Sequence, residues 1–77
     1  MAAATTFQAS SVIDQIGEAA GAVWHHLDQH GAVSLTKLVK ELDLPRDLVM
    51  QSIGWLGRED KVWIEDEGRT RVVRLRD

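Results

Sequence analysis

The chain reads as an α+β domain with three helices, one short strand and a C-terminal two-stranded hairpin. Two patterns predict it. Apolar residues recur at helical spacing in three stretches up to residue 58. Beyond them, β-branched and aromatic residues crowd into 61–65 and 70–76 on either side of a polar, glycine-containing turn. Length supplies the third observation. Seventy-seven residues hold a single small core, and such a chain buries only about 60% of its unfolded surface. With 44% hydrophobic and 27% charged residues, the composition is that of a folded globular domain rather than a disordered tail.

The elements follow in order. Residues 1–10, MAAATTFQAS, have no periodicity and read as a flexible lead-in, leaving 11–77 as the domain. Phe7 is the aromatic in that lead-in that a core would accept. Ser11 is placed to cap the first helix, with Asp14 as a shortened capping-box partner. Val12, Ile13, Ile16, Ala20, Val23 and Leu27 then form one apolar stripe, and Gly31 stands at the C-terminal cap. Gly17 and Gly21 each cost this helix about 1 kcal/mol relative to alanine. Four residues apart on one face, they suit close approach of another element, either within the chain or in a symmetric dimer.

Ala32, Val33 and Ser34 form a short extended link, and Ser34 caps a second helix over 35–42. Leu35, Leu38, Val39 and Leu42 face inward there. Asp43, Leu44 and Pro45 break it, and Pro45 suits the first position of a third helix running to about Arg58. At 100° per residue, Leu48, Val49, Ser52, Ile53, Trp55 and Leu56 share its apolar face. Asp47, Met50, Gln51, Gly54, Gly57 and Arg58 take the opposite one. In the hairpin, Val62 and Ile64 face one way and Lys61, Trp63 and Glu65 the other. A lone hairpin is marginal, so it should pack on the helices and pair with the link at 32–34.

The stretch VSLTKLVKELDLPRDLVMQSIGWLGREDKVWI places a strand, a helix, a tight turn, a second helix and an acidic-basic corner entering a hairpin. With IGEAAGAVWHHLDQHGAVSLTKL before it, the chain resembles a winged helix-turn-helix domain over about residues 11–76. It is similar to a small bacterial family of stand-alone winged helices with no established function. The resemblance implies that the third helix enters a DNA major groove while the wing touches the backbone. The residues assigned to such contacts are Arg46, Gln51 and Arg58 on the helix and Arg69, Arg71 and Arg74 on the wing. Gln51 suits adenine, Arg58 suits phosphate or guanine, and Arg46 and the wing arginines suit phosphate. A net charge of −3 weighs against strong non-specific binding, and Glu65, Asp66 and Glu67 stand ready to pair with the wing arginines across the hairpin. The DNA reading needs Arg58 and the wing arginines to form one positive face, with Asp47 and the acids at 65–67 turned away.

The alternative is a protein-interaction module that contacts a partner or a second copy through Met50, Trp55 and Trp63. The plainer reading packs Trp24 and Trp55 in the core, whereas an exposed Trp63 with Met50 would make an apolar contact patch. Other classes find little support. Without cysteine there is neither a disulfide framework nor a thiolate metal site, and His25, His26 and His30 supply one helical pair without a third ligand. Neither a phosphate loop nor a nucleophile motif is present, so no catalytic residue, cofactor or metal is assigned. With no signal-peptide pattern and no apolar run of membrane-spanning length, a cytoplasmic location is the expectation.

Overall fold

A computed structural model of the chain describes residues 11–76; the expected lead-in, with Phe7, lies outside them. Helix α1 (Val12–His30) begins where expected, because the Ser11 Oγ accepts the Asp14 amide at 3.1 Å. It ends at Gly31, whose φ of 81° turns the chain while its N–H donates to the Leu27 carbonyl at 2.8 Å. Ala19, Ala20, Val23 and Leu27 are buried, but Val12 and Ile13 are exposed. The apolar stripe of the first turn therefore extends beyond the core that the later turns cover.

Strand β1 (Val33–Ser34) leads directly into α2 (Leu35–Leu42), capped by the Ser34 Oγ accepting from the Lys37 amide at 3.2 Å. Leu38 is fully buried at its centre, with Leu35, Val39 and Leu42 packed partly against the core. Asp43 stops the helix in the left-handed conformation, φ 55° and ψ 41°. Helix α3 (Arg46–Arg58) then starts one residue later than expected. Pro45 caps it, and its carbonyl accepts the Val49 N–H at 3.1 Å. Val49, Ser52, Ile53 and Leu56 form its buried face. Ser52 is wholly buried yet satisfied, its hydroxyl lying 2.7 Å from the Leu48 carbonyl and 3.2 Å from the Ile16 carbonyl of α1.

Strands β2 (Val62–Glu67) and β3 (Thr70–Leu75) form the wing, with Val62 opposite Leu75 and Glu67 opposite Thr70. Gly68 opens the two-residue turn with a φ of 63°, a conformation that costs glycine little and other residues more. Strand β1 pairs antiparallel with β3, Val33 opposite Val73, giving the sheet order β1-β3-β2. The pairing anchors the hairpin to the helix-turn-helix, as its marginal stability alone demands. Val33, Val62 and Val73 seal the sheet side of a core shared with Val23, Leu27, Leu38, Val49, Ile53 and Leu56. Alternation then puts Ile64, Asp66, Arg71 and Leu75 on the helix side of the wing, and Trp63, Glu65, Val72 and Arg74 on its outer side. No helix among the described residues is long and apolar enough to cross a membrane.

Candidate nucleic-acid interface

The start of α3 and the tip of the wing converge. Between them lies an open groove of about 450 Å³, lined by Arg46, Arg69, Arg71, Asp66 and Thr36 among others. Arg46 comes to it because it is the first residue of α3, directly after the Pro45 turn. Arg69 comes to it because it occupies the turn of the hairpin, and Arg71 because it lies on the helix side of β3. Three guanidinium groups and one carboxylate thus share one concave surface.

Their pairing differs. Arg71 donates through Nε to Asp66 Oδ1 at 2.8 Å. That hydrogen bond, and then the charge behind it, holds the Asp66 carboxyl below its ordinary pKa and raises that of Arg71. Arg46, Arg58 and Arg69 make no ion pair among the described residues.

The remaining assigned residues fall elsewhere. Gln51 and Arg58 are exposed on the outward face of α3, together with Asp47 and Gly54. Arg74 lies on the outer side of the wing, where Nε and a terminal nitrogen donate to the two Glu65 carboxylate oxygens at 3.0 and 3.2 Å. This fork lowers the Glu65 pKa, by hydrogen bonding first and charge second. Arg76 pairs with Asp60 at 3.5 Å and lies 4.3 Å over the Trp63 ring. The single positive face expected from Arg58 and all the wing arginines is therefore not formed. Asp66 points into the groove, and the wing arginines divide between two sides because the period of a strand is two.

The residues of the protein-contact alternative are also separated. Met50 packs partly against the core on the wing side of α3. Trp55 lies on the α1 side, 50% exposed, and Trp63 on the outer side of the wing. Trp63 and Met50 do not form the one patch expected of them. Trp24, 39% exposed, and Trp55 are not core residues either, since each sits on the flank of its helix rather than over the sheet. Among the described residues nothing approaches Gly17 or Gly21: a Cβ added at either meets no atom within 4 Å.

His26 and His30 do come together, ring centres 4.6 Å apart. The His26 side chain is 12% exposed, and its Nε2 lies 2.8 Å from Glu41 Oε1. That bond ties α1 to α2. No group of three or more potential ligands among the described residues is arranged to hold a metal ion.

Comparison with known proteins matches residues 12–75 to the family described as winged helix-turn-helix domain (DUF2582). An uncharacterized protein of Methanocaldococcus jannaschii is 30% identical over 64 residues, covering 80% of this chain and 91% of that one. Solved structures share the fold. A protein of Archaeoglobus fulgidus aligns with a TM-score of 0.62 at 22% identity, over 83% of this chain and 70% of its own. Reduced HlyU from Vibrio cholerae gives 0.62 at 21%, over 86% and 74%. A protein described as an ArsR family transcriptional regulator gives 0.61 at 21%, over 92% and 77%.

Proposed function

The chain belongs to the winged helix-turn-helix family DUF2582, and from that premise we propose that it binds double-stranded DNA as a small regulator. The full positive face with Arg58 and Arg74 is not formed; the observation that carries the reading is the smaller groove that brings Arg46, Arg69 and Arg71 together between the third helix and the wing. A duplex laid along α3 presents its phosphates to that groove. The Arg46 and Arg69 guanidinium groups there neutralise them and release counterions, while Arg71 stays paired with Asp66. Arg58 and Gln51 face the same duplex from the outward side of α3, Arg58 toward phosphate or guanine and Gln51 toward an adenine edge. Arg74, held by Glu65 on the outer side of the wing, takes no part. The description of one fold neighbour as a transcriptional regulator supports the same reading.

The binding is dominated by backbone contacts and is modest in strength. Asp47 on the outward face of α3 opposes phosphate, and Gly54 beside it offers no side chain to a base. Three unpaired arginines, Arg46, Arg58 and Arg69, give an expected slope of about −2.7 in log affinity against log salt. Affinity for a random-sequence duplex then falls about 40-fold between 50 and 200 mM salt. The test is a fluorescence anisotropy titration across that range, with amide chemical shifts mapped at low salt. Shifts at Arg46, Thr36, Gly68 and Arg69 with the expected slope support the reading. No binding at 50 mM salt, or shifts confined to the outer side of the wing, refutes it.

A further inference from the structure

Among the described residues, the flanks of α1 and α3 leave an apolar surface uncovered. Ile13, Gly17, Gly21 and Trp24 follow one another along one side of α1, and Trp55 of α3 stands beside them. Ile13 is 70% exposed. A notch of about 80 Å³ lies between Ile13, Ile16, Gly17 and Trp55. A wider cleft of about 250 Å³ runs past Gly21, Trp24, Trp55 and Lys61. We propose that this surface is a homodimer interface, in which α1 crosses the α1 of a second copy antiparallel at Gly17 and Gly21.

Three observations select a second copy as the occupant. The first is self-complementarity, the property a two-fold interface requires. The space above both glycines is open, so two helices can approach closely there, Gly17 meeting the partner's Gly21. Trp24 stands about 7.5 Å along the helix on one side of the midpoint between the glycines, and Ile13 about 9 Å on the other. An antiparallel crossing therefore brings each Trp24 level with the partner's notch beside Ile13 and Gly17. The second is area. The exposed parts of Ile13, Trp24 and Trp55 offer roughly 350 Å² of surface per copy, within the range of the largest apolar patch of a typical monomer, which is often functional. Doubled, this is roughly 700 Å², and the glycine backbone and a polar rim have to supply the remainder of the roughly 1,000 Å² that a specific pair needs. The third is charge. Lys61 in the wall of the cleft makes no ion pair among the described residues. The antiparallel crossing sets it against the first turns of the partner's α1, which carry Asp14.

The experiment is sedimentation velocity on the full chain from about 5 to 500 μM. The expected result is reversible association to twice the 8.6 kDa chain mass. Gly17→Leu and Gly21→Leu add side chains whose Cβ meets nothing within 4 Å among the described residues, so each should weaken the dimer at least tenfold while the monomer keeps its fold, checked by its circular dichroism spectrum. Lys61→Glu should weaken it as well, and the double variant Lys61→Glu with Asp14→Lys should restore it. A chain that stays monomeric at 500 μM leaves the surface to a different partner and overturns the proposal. A dimer indifferent to both leucine variants lies on another surface and overturns it too. A dimer that the charge swap fails to rescue overturns the antiparallel arrangement.

Discussion

Replacing Asp66 with asparagine is the sharpest test of the groove. Asp66 is the one carboxylate lining it, and its Oδ1 engages Arg71 Nε at 2.8 Å. Both groups are solvent-exposed and the Gly68 turn does not depend on their pairing, so the hairpin should keep its register. The substitution removes a negative charge and releases a fourth arginine to phosphate. The salt slope should steepen from about −2.7 to about −3.6, so that affinity falls about 150-fold rather than 40-fold between 50 and 200 mM. If the two proteins bind alike near 1 M salt, where backbone attraction is screened out, the variant binds about 15-fold tighter at 50 mM and about 4-fold tighter at 200 mM. Anisotropy with a labelled random duplex measures all of this. Two controls assign the effect to place. Asp66→Asn combined with Arg71→Ala should return the slope to about −2.7. Glu65→Gln, which disturbs Arg74 on the outer side of the wing, should leave the slope unchanged. An Asp66→Asn protein with unaltered slope refutes the groove as the phosphate site, and a slope that steepens equally with Glu65→Gln refutes its confinement to one side.

The other expectations concern what holds the site in place. Leu38→Ala empties the centre of the core and should cost about 2–5 kcal/mol in urea unfolding, a large share of the stability of so small a domain. Ser34→Ala removes the cap of α2 and should cost about 1 kcal/mol, with amide exchange accelerated first at Lys37, whose N–H loses its acceptor. Acidification should loosen the wing before the core. The Glu65 and Asp66 pKa values are lowered on folding, so their pairing contributes above the ordinary carboxylate range and is lost as pH falls through it, from about 4.5 downward. The Arg71 and Arg74 Nε–H resonances should follow that loss, while the buried methyls of Val23 and Leu38 stay unshifted through its onset.

Most of the fold was legible because local signals and global fold agree. Ser11 and Ser34 cap where their positions imply, Asp43 and Pro45 interrupt the chain between two helices, and Gly68 turns the hairpin. The pairing of the 32–34 link with the wing also follows, because a two-stranded ribbon needs a third strand or a helix to lean on. The site was legible only in part. Charge counting along the chain cannot say which arginines converge, because alternate residues of a strand point to opposite sides: Arg71 enters the groove and Arg74 leaves it. Nor could it tell that Arg69 escapes the acids that hold its neighbours, since that follows from its place at the turn. Trp24 and Trp55 depart from a core placement for a related reason, whereas Trp63 is exposed as expected. A helical wheel divides residues into two faces, but α3 has flanks as well, and Trp55 lies on one of them.

Those flanks make the two proposed surfaces independent. The inward face of α3 holds Val49, Ser52, Ile53 and Leu56, and the outward face Gln51 and Arg58. Arg46 lies toward the wing and Trp55 toward α1, so the phosphate groove and the apolar cleft share no lining residue. Substitutions in one should therefore leave intrinsic contacts in the other untouched, as separated sites generally do. Gly17→Leu then becomes a measurement as well as a disruption. On a duplex that accommodates one copy, it should bind as the unaltered chain does. On a longer duplex that accommodates two, the unaltered chain gains from linked occupancy and the variant does not. A Gly17→Leu protein that loses affinity for the short duplex as well would show that the two surfaces are coupled, and would refute their separation by α3.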